Sequence, residues 1–322
     1  MEQVRFYRTG GPEVLQVEEA PVPEPGPGEV LIQHEAIGLN FIDTYHRSGL
    51  YPVPLPAVPG LEGAGVIKKV GEGVENLQPG DRVAYGAGPL GAYAQWRTMP
   101  ASRVARLPDA IDCETAAAMM LKGLTAWYLL RETFRIRPGD VLLFLPAAGG
   151  VGLIAGQWAK ALGAVTIGAC SSGKVEKAKA HGYDHVIAYD REDLAERVAE
   201  ITDGRGVDVV YDGVGAATFE SALSCLKRRG LMVSFGNASG PVTGVNLGLL
   251  AEKGSLYVTR PVLMDYVAED ADLARASAEL FEMVASGRVR ISIDQRYPLS
   301  EAAQAHADLE ARRTTGQTIL LP

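Results

Sequence analysis

The residues best placed to do chemistry lie at 147–152, which read Ala-Ala-Gly-Gly-Val-Gly. They follow the apolar run Val141–Leu145 and precede a helical pattern that extends from about 151 to 162. Small residues let a backbone approach phosphates closely, and a helix N-terminus offers N–H groups and partial positive charge. The pattern predicts a pyrophosphate site for a dinucleotide. Ala147 stands where such turns usually have their first glycine, so a tight turn without a ligand is the alternative.

The stretch that should meet the adenosine ribose reads Gly-Ala-Cys-Ser-Ser-Gly-Lys at 168–174. Enzymes selective for NAD place an acid here to accept hydrogen bonds from the ribose 2′-hydroxyl. This stretch has no acid, and Ser171, Ser172 and Lys174 could instead receive a 2′-phosphate. It therefore favours NADPH over NADH. The alternative is a plain loop with a serine at a helix N-cap and a solvated lysine.

Composition limits the class of protein. The chain has 322 residues and a formal net charge of −8, which argues against nucleic-acid or anionic-membrane partners. Its three cysteines form no Cys-x-x-Cys pair, and no apolar run reaches the length of a membrane span or a signal peptide. We expect a cytoplasmic protein without a membrane or nucleic-acid partner.

The pattern of residue types along the chain changes near residue 122. Before it, short β-type runs alternate with turns rich in proline and glycine, which predicts a β-rich barrel or sandwich. After it, six apolar strands alternate with helical patterns, which predicts a parallel sheet covered on both faces. The strands are expected near 141–145, 165–169, 185–188, 207–211, 231–235 and 255–259. The last sixty residues return to mixed helix and strand and could rejoin the first domain.

A zinc site is not expected. Zinc needs three or four converging Cys, His or carboxylate ligands. The five histidines are scattered along the chain, and none lies near a cysteine in sequence. We therefore predict no metal.

Several longer segments together resemble one superfamily. They are 38–45 (Gly-Leu-Asn-Phe-Ile-Asp-Thr-Tyr), 59–65 (Pro-Gly-Leu-Glu-Gly-Ala-Gly), 121–126 (Leu-Lys-Gly-Leu-Thr-Ala), the turn at 147–152, and 233–237 (Val-Ser-Phe-Gly-Asn). On these segments the chain resembles the medium-chain dehydrogenase/reductase superfamily, and within it the zeta-crystallin-like NADPH:quinone oxidoreductases. The resemblance covers essentially the whole chain.

The resemblance implies an α/β fold with two domains. A GroES-like β-rich catalytic domain would comprise residues 1–121 and 262–322, and a Rossmann domain with a doubly wound parallel sheet would comprise 122–261. Zinc-dependent members have a catalytic cysteine in the segment matching 38–45 and a histidine in a Gly-His-Glu. This chain has no cysteine there and has Leu61 in place of the histidine. The implied branch is therefore zinc-free.

The resemblance also implies NADPH as cofactor and a role for individual residues. Asn40, Tyr45 and Thr125 would lie near the nicotinamide. The pyrophosphate would bind at Gly149, Gly150, Val151 and Gly152. Ser171, Lys174 and Tyr189 would surround the 2′-phosphate. Further contacts are expected from Val214, Phe235, Gly236, Asn237, Ser239, Arg260 and Arg312.

The expected reaction is reduction of a small-molecule quinone by NADPH. The cofactor carries the chemistry, and Asn40, Tyr45 and Tyr51 are the polar residues that we place around the acceptor as catalytic candidates. One alternative is reduction of an α,β-unsaturated carbonyl, which needs the same hydride geometry. Another is a non-enzymatic NADPH- or RNA-binding, crystallin-like role. The resemblance implies a homodimer.

Overall fold

The computed structural model describes residues 1–322. The strands, in chain order, are β1 Glu2–Arg5, β2 Gln16–Glu19, β3 Glu29–Gly38, β4 Glu62–Val70, β5 Arg82–Tyr85, β6 Trp96–Pro100, β7 Ala105–Arg106, β8 Val141–Leu145, β9 Val165–Cys170, β10 His185–Ala188, β11 Val207–Asp212, β12 Leu226–Ser234, β13 Tyr257–Thr259, β14 Ile293–Pro298 and β15 Gln317–Leu321. The helices are α1 Phe41–Ser48, α2 Cys113–Tyr128, α3 Gly150–Ala161, α4 Val175–Lys179, α5 Leu194–Ile201, α6 Phe219–Ser224, α7 Gly248–Glu252, α8 Leu263–Tyr266, α9 Asp270–Ala285 and α10 Ala302–Glu310.

The chain forms two compact units. One contains Met1–Leu124, Val267–Ala285 and Ile291–Pro322, and the other contains Thr125–Tyr266 and Ser286–Arg290. Both ends of the chain therefore belong to the first unit. No helix of the structure is both long and apolar enough to cross a bilayer.

The first unit is built on a mainly antiparallel sheet. Its order is β14-β15-β3-β4-β5-β7, with β6 also paired to β3. The C-terminal strand β15 pairs antiparallel with the end of β3, where Ile319 lies opposite Gly38. Buried Val30, Ile32 and Ile37 of β3 belong to its apolar core. This sheet therefore brings the C-terminal segment against the residues that lead into α1.

The second unit confirms the predicted doubly wound sheet. Its six parallel strands have the order β10-β9-β8-β11-β12-β13. Five apolar residues in a row form β8, as expected for a strand with both faces covered. Strand β12 begins at Leu226, five residues before the predicted start.

Five helices were not predicted from the sequence: α1, α2, α6, α7 and α8. Helix α6 is only six residues long. Helix α2 is buried along most of its length, so its sequence lacks the alternation of polar and apolar faces that reveals a surface helix. It also runs through residue 122, where the sequence suggested a boundary.

Candidate active site

The glycine-rich turn connects β8 to α3. Gly149 is the N-cap of this twelve-residue helix, and its N–H donates to the Pro146 carbonyl at 3.2 Å. Leu153 N–H donates to the Gly149 carbonyl at 2.9 Å and begins the helical ladder. The predicted strand, turn and helix are therefore present, with the positive end of the helix dipole at the turn.

Steric contact explains why Gly152 must be glycine. A Cβ atom at this position would lie 2.3 Å from the Pro146 carbonyl oxygen and 2.6 Å from that of Ala147. Its own carbonyl accepts a 2.8 Å hydrogen bond from the Tyr183 hydroxyl. The first turn of α3 is thus packed directly on the backbone of the preceding turn.

Gly168 makes room for the side chain of Ala147, which stands where such turns usually have their first glycine. The Ala147 side chain is fully buried and faces β9. A Cβ at Gly168 on that strand would lie 2.7 Å from the Ala147 Cβ. The methyl group at 147 therefore occupies space that Gly168 leaves open, and the turn keeps its shape.

The loop after β9 is hydrogen-bonded to an acidic residue that lies outside the loop. Asp190, which follows β10, accepts a hydrogen bond from Ser172 N–H at 2.7 Å and another from Ser172 Oγ at 2.8 Å. The Ser172 hydrogen bonds lower the pKa of the Asp190 carboxyl. The Asp190 carboxylate accepts both hydrogen-bond donors of Ser172. Ser171, Lys174 and the half-exposed Tyr189 therefore remain as the predicted 2′-phosphate contacts.

Asp212 organises the loops at the carboxyl ends of β11 and β12. Its buried carboxylate accepts hydrogen bonds from Val214 N–H at 2.7 Å and from Thr218 Oγ1 at 2.8 Å. Burial raises the pKa of Asp212. Ser239 Oγ donates to the Val214 carbonyl at 2.8 Å, and Phe235 N–H donates to the Asp212 carbonyl at 2.8 Å.

The same loops contain the other predicted residues of this edge. A Cβ at Gly236 would lie 2.4 Å from the Gly213 carbonyl oxygen, so the two loops touch through their backbones. The Asn237 carbonyl accepts the Gly240 N–H at 2.9 Å. The structure therefore brings Val214, Phe235, Gly236, Asn237 and Ser239 together, as expected for parallel strands that end at one edge.

Three further predicted cofactor residues lie in separate segments of the chain. Thr125 lies within α2 and is largely buried. Arg260 follows β13, and its guanidinium donates to the Pro261 carbonyl at 3.4 Å. Arg312 follows α10 in a left-handed conformation, with φ of 59°. Arg260 belongs to the second unit and Arg312 to the first.

Asn40 joins the end of β3 to the start of α1 as the N-cap residue. Its backbone N–H donates to Asp43 Oδ2 at 2.9 Å, and its carbonyl accepts Asp43 N–H at 3.0 Å. Along the same segment, the Tyr45 and Tyr51 rings meet edge to face with centroids 5.2 Å apart. The three predicted catalytic candidates therefore occupy α1 and the residues on either side of it.

Glu62 and Lys122 belong to this cluster, although the sequence analysis did not select them. Glu62 has no exposed surface, and its Oε2 accepts hydrogen bonds from Asn40 Nδ2 and Lys122 Nζ, both at 2.8 Å. Its Oε1 accepts Leu121 N–H, also at 2.8 Å. The only local signal was an acid and a lysine, each set among apolar and glycine residues. Their partners lie too far away in sequence to be recognised.

Behind Asn40, buried hydrogen bonds connect α1 with α10. Tyr93 Oη donates to Asp43 Oδ2 at 3.2 Å and meets His306 Nε2 at 2.9 Å. His306 Nδ1 lies 3.2 Å from Arg47, whose guanidinium also binds both Glu310 oxygens at 2.7 and 2.9 Å. Since Arg47 can only donate, His306 accepts at Nδ1 and donates from Nε2.

Burial shifts two acid–base groups of this chain in opposite directions. It raises the pKa of Asp43 to about 7, although hydrogen bonds from Asn40 and Tyr93 act against the shift. It lowers the pKa of His306 to about 3, and the neighbouring Arg47 charge adds to that effect. His306 is therefore neutral near pH 7, as its hydrogen bond from Arg47 requires.

Leu61 lies buried beside Glu62 and offers no atom that could bind a metal. Throughout residues 1–322, no group of three or more His, Cys, Asp or Glu side chains is arranged to hold a metal ion.

The GroES-like sheet and the Rossmann sheet with its glycine turn define the class as a medium-chain dehydrogenase/reductase. Residues 26–109 match the alcohol dehydrogenase GroES-like domain family, and residues 150–275 match the zinc-binding dehydrogenase family.

Comparison with known proteins identifies the family within that superfamily. The chain is 55% identical to a quinone oxidoreductase of Pseudomonas aeruginosa over 99% of both chains. It is 43% identical to a 2-haloacrylate reductase of a Burkholderia species over 98% of both. The crystal structure of Escherichia coli quinone oxidoreductase complexed with NADPH superposes with a TM-score of 0.98, at 52% identity and with all of both chains covered. The chain belongs to the quinone oxidoreductase family.

Replacing Gly152 with alanine should weaken NADPH binding. The added Cβ would push the first turn of α3 off the Pro146 and Ala147 carbonyls, which displaces the phosphate-binding N–H groups. We expect the dissociation constant of NADPH, measured by cofactor fluorescence, to rise about tenfold or more, the equivalent of one lost hydrogen bond to a charged group. Gly26→Ala is the control, because it lies outside the predicted cofactor segments and a Cβ there would meet only the end of the Glu29 side chain, at 3.3 Å. Equal affinities for the two variants would contradict the steric argument.

His306 should make the protein less stable in acid. Its pKa is depressed in the folded state, so between about pH 6.5 and 3 the unfolded chain binds more protons and stability falls as the pH falls. Glutamine can accept from Arg47 and donate to Tyr93, so His306→Gln should lessen the loss of unfolding free energy between pH 6.5 and 4.5 by about 2 kcal/mol. Urea unfolding at both pH values measures it, with exposed His185→Gln as control. A loss identical to that of the unmodified protein would refute this role.

Proposed function

We propose that this protein is a metal-independent NADPH:quinone oxidoreductase. The observation that carries the proposal is the turn at 147–152, where Gly152 packs against two backbone carbonyls at the N-terminus of α3. Such a turn suits a dinucleotide pyrophosphate. The relatives named quinone oxidoreductase, which align over the full chain, support the same reaction.

We assign the cofactor contacts as the sequence predicts them. Gly149, Gly150, Val151 and Gly152 would bind the pyrophosphate. Ser171, Lys174 and Tyr189 would bind the 2′-phosphate. Asn40, Tyr45 and Thr125 would lie near the nicotinamide, and Arg312 would reach a phosphate group. Further contacts would come from Val214, Phe235, Gly236, Asn237, Ser239 and Arg260.

When bound, NADPH supplies the hydride. Asn40, Tyr45 and Tyr51 would hydrogen-bond the acceptor oxygen and stabilise the negative charge that develops on it. The T-shaped packing of Tyr45 against Tyr51 holds the two phenol rings in a fixed relation.

A panel of acceptors tests the reaction. We expect NADPH oxidation, followed by its absorbance, to accelerate on addition of simple quinones, and to remain unchanged after treatment with a chelator. The absence of turnover with every quinone, in a preparation that binds NADPH, would overturn the proposal. Loss of turnover on chelation would overturn its metal-independent part.

Reduction of α,β-unsaturated carbonyl compounds is the second candidate. The full-length relative named 2-haloacrylate reductase favours it, because a haloacrylate carries a carbon–carbon double bond conjugated to a carboxyl group. The same panel should include enones and 2-haloacrylates. A kcat/KM for these compounds that exceeds the value for quinones would make this the principal activity.

Lys174 should set the preference between NADPH and NADH. Its ammonium would pair with the 2′-phosphate, which NADH lacks. Lys174→Ala should raise the KM for NADPH about tenfold, as expected for loss of one charge-assisted hydrogen bond, and leave the KM for NADH nearly unchanged. Lys179→Ala removes another lysine of the same segment, one that pairs with Glu176. Similar effects of the two substitutions on NADPH would remove Lys174 from the site.

We further propose a homodimer located in the cytoplasm. Strand β13 forms an edge of the parallel sheet, and its Tyr257 and Val258 are exposed. Sheet-to-sheet pairing of two copies would cover both the edge and these side chains. A monomer mass at micromolar concentration would refute the dimer.

The cysteines support the cytoplasmic location. All three are free and buried, which suits a reducing compartment.

A further inference from the structure

Glu62, Lys122 and Asn40 form a buried triad within the first unit. Glu62 is fully buried, and the Lys122 and Asn40 side chains retain only a few per cent of their surface. Both bonds to Glu62 Oε2 are 2.8 Å long, and Leu121 N–H occupies Oε1 at the same distance. The carboxylate is therefore satisfied from three directions, by groups on α2 and by the residue that caps α1.

The chemistry of the triad fixes the orientation of the Asn40 amide. An ionised carboxylate can only accept hydrogen bonds, so the group that faces it must be Nδ2. The amide is planar, so this bond also fixes the direction of Oδ1. Without Glu62, the amide could turn over and exchange its donor and acceptor at little cost.

Lys122 supplies a counter-charge to the buried Glu62 carboxylate. Removing one partner of a buried ion pair is costly, because the other charge is left unpaired. The Lys122 ammonium lies 2.8 Å from Oε2, the same oxygen that accepts the hydrogen bond from Asn40.

The backbone at Gly38 leaves space for the Glu62 carboxylate. A Cβ at Gly38, the last residue of β3, would lie 2.1 Å from Glu62 Oε2. Glycine at this position lets the carboxylate approach the strand end next to Asn40.

We propose that Glu62 is a positioning residue for the reaction. It holds the Asn40 carboxamide with Nδ2 toward the carboxylate and Oδ1 in one fixed direction, and the Lys122 charge stabilises the buried carboxylate. The inference rests on the proposed function, because it takes Asn40 to contact the cofactor or the acceptor.

The first test replaces Glu62 with glutamine and Lys122 with methionine. Lys122 can only donate, so it would compete with Leu121 N–H for the single oxygen of a glutamine. In Glu62→Gln/Lys122→Met the new amide oxygen would keep the bond to Leu121 N–H, so the new NH₂ group would face Asn40 and favour the reversed amide. We expect kcat for NADPH oxidation by a quinone to fall roughly 10- to 100-fold, the range for partners that orient an active-site group. The dissociation constant of NADPH should change much less, because the glycine turn is untouched. Exposed Glu75→Gln is the matched control.

Adding Asn40→Ala to both backgrounds tests orientation against simple structural damage. With no carboxamide at position 40, the group that Glu62 orients is gone. If Glu62 acts through Asn40, Glu62→Gln/Lys122→Met should lower kcat in the unmodified protein but change it by less than about threefold in the Asn40→Ala protein, since the effects of coupled neighbours are not additive. An equal fall in kcat in both backgrounds would overturn the proposal.

Asn40→Asp tests the contact without changing Glu62 or Lys122, should Glu62→Gln/Lys122→Met fail to fold. The new carboxyl group would face Glu62 from β4 and Lys122 from α2, with Asp43 of α1 bonded to the backbone of the same residue. Two carboxylates at this distance cannot both ionise without cost. In its protonated form the new carboxyl can still donate to Glu62 at low pH, so kcat should fall as the pH rises. A pH profile parallel to that of the unmodified protein would overturn the proposal.

Failure of the proposed function would look different. If the unmodified protein reduces no quinone, the side-chain amide signal of Asn40 in ¹⁵N NMR spectra still reports the contact. Its protons should exchange slowly in the unmodified protein and quickly after Glu62→Gln/Lys122→Met. Fast exchange in both would overturn the positioning role, whatever the reaction.

Discussion

The buried carboxylate of Glu62 is the contact that holds the predicted catalytic residue Asn40 to the rest of the first unit. It joins the start of β4, the cap of α1 and the middle of α2 through three hydrogen bonds of 2.8 Å. Removing one partner of a buried ion pair typically costs about 3–5 kcal/mol, because the other charge is left unpaired. The position of Asn40 is therefore tied to the folding of three elements rather than to its own loop.

A second set of buried groups also holds α1. The chain from Asp43 through Tyr93 and His306 to Arg47 connects α1 with α10, a helix near the C-terminus. Every inner group is buried, so each must keep the protonation state that its neighbour requires. Together with Glu62, this network explains why a short helix can present Asn40 and Tyr45 in a fixed arrangement.

The second unit uses backbone contacts where the first uses side chains. Gly152 packs on two carbonyls, and Gly236 packs on Gly213. Such contacts depend only on residue size, and they occur within a few residues or at the ends of adjacent strands. For this reason the phosphate turn, the six strands and the grouping of Val214 with Ser239 could be predicted from the sequence.

The sequence by itself determined the sheet of the second unit and its glycine turn, because apolar runs and small residues act over short distances. It could not reveal α2, whose burial on all sides removes the periodic pattern. Nor could it reveal that Asp190 binds Ser172, or that Glu62 holds Asn40. The tertiary structure decided these pairings: Glu62 lies 60 residues from Lys122, and Arg47 lies 259 from His306. A charge or hydrogen-bonding group has no preferred partner in the sequence, and only the folded strands and helices bring two such groups into hydrogen-bonding contact.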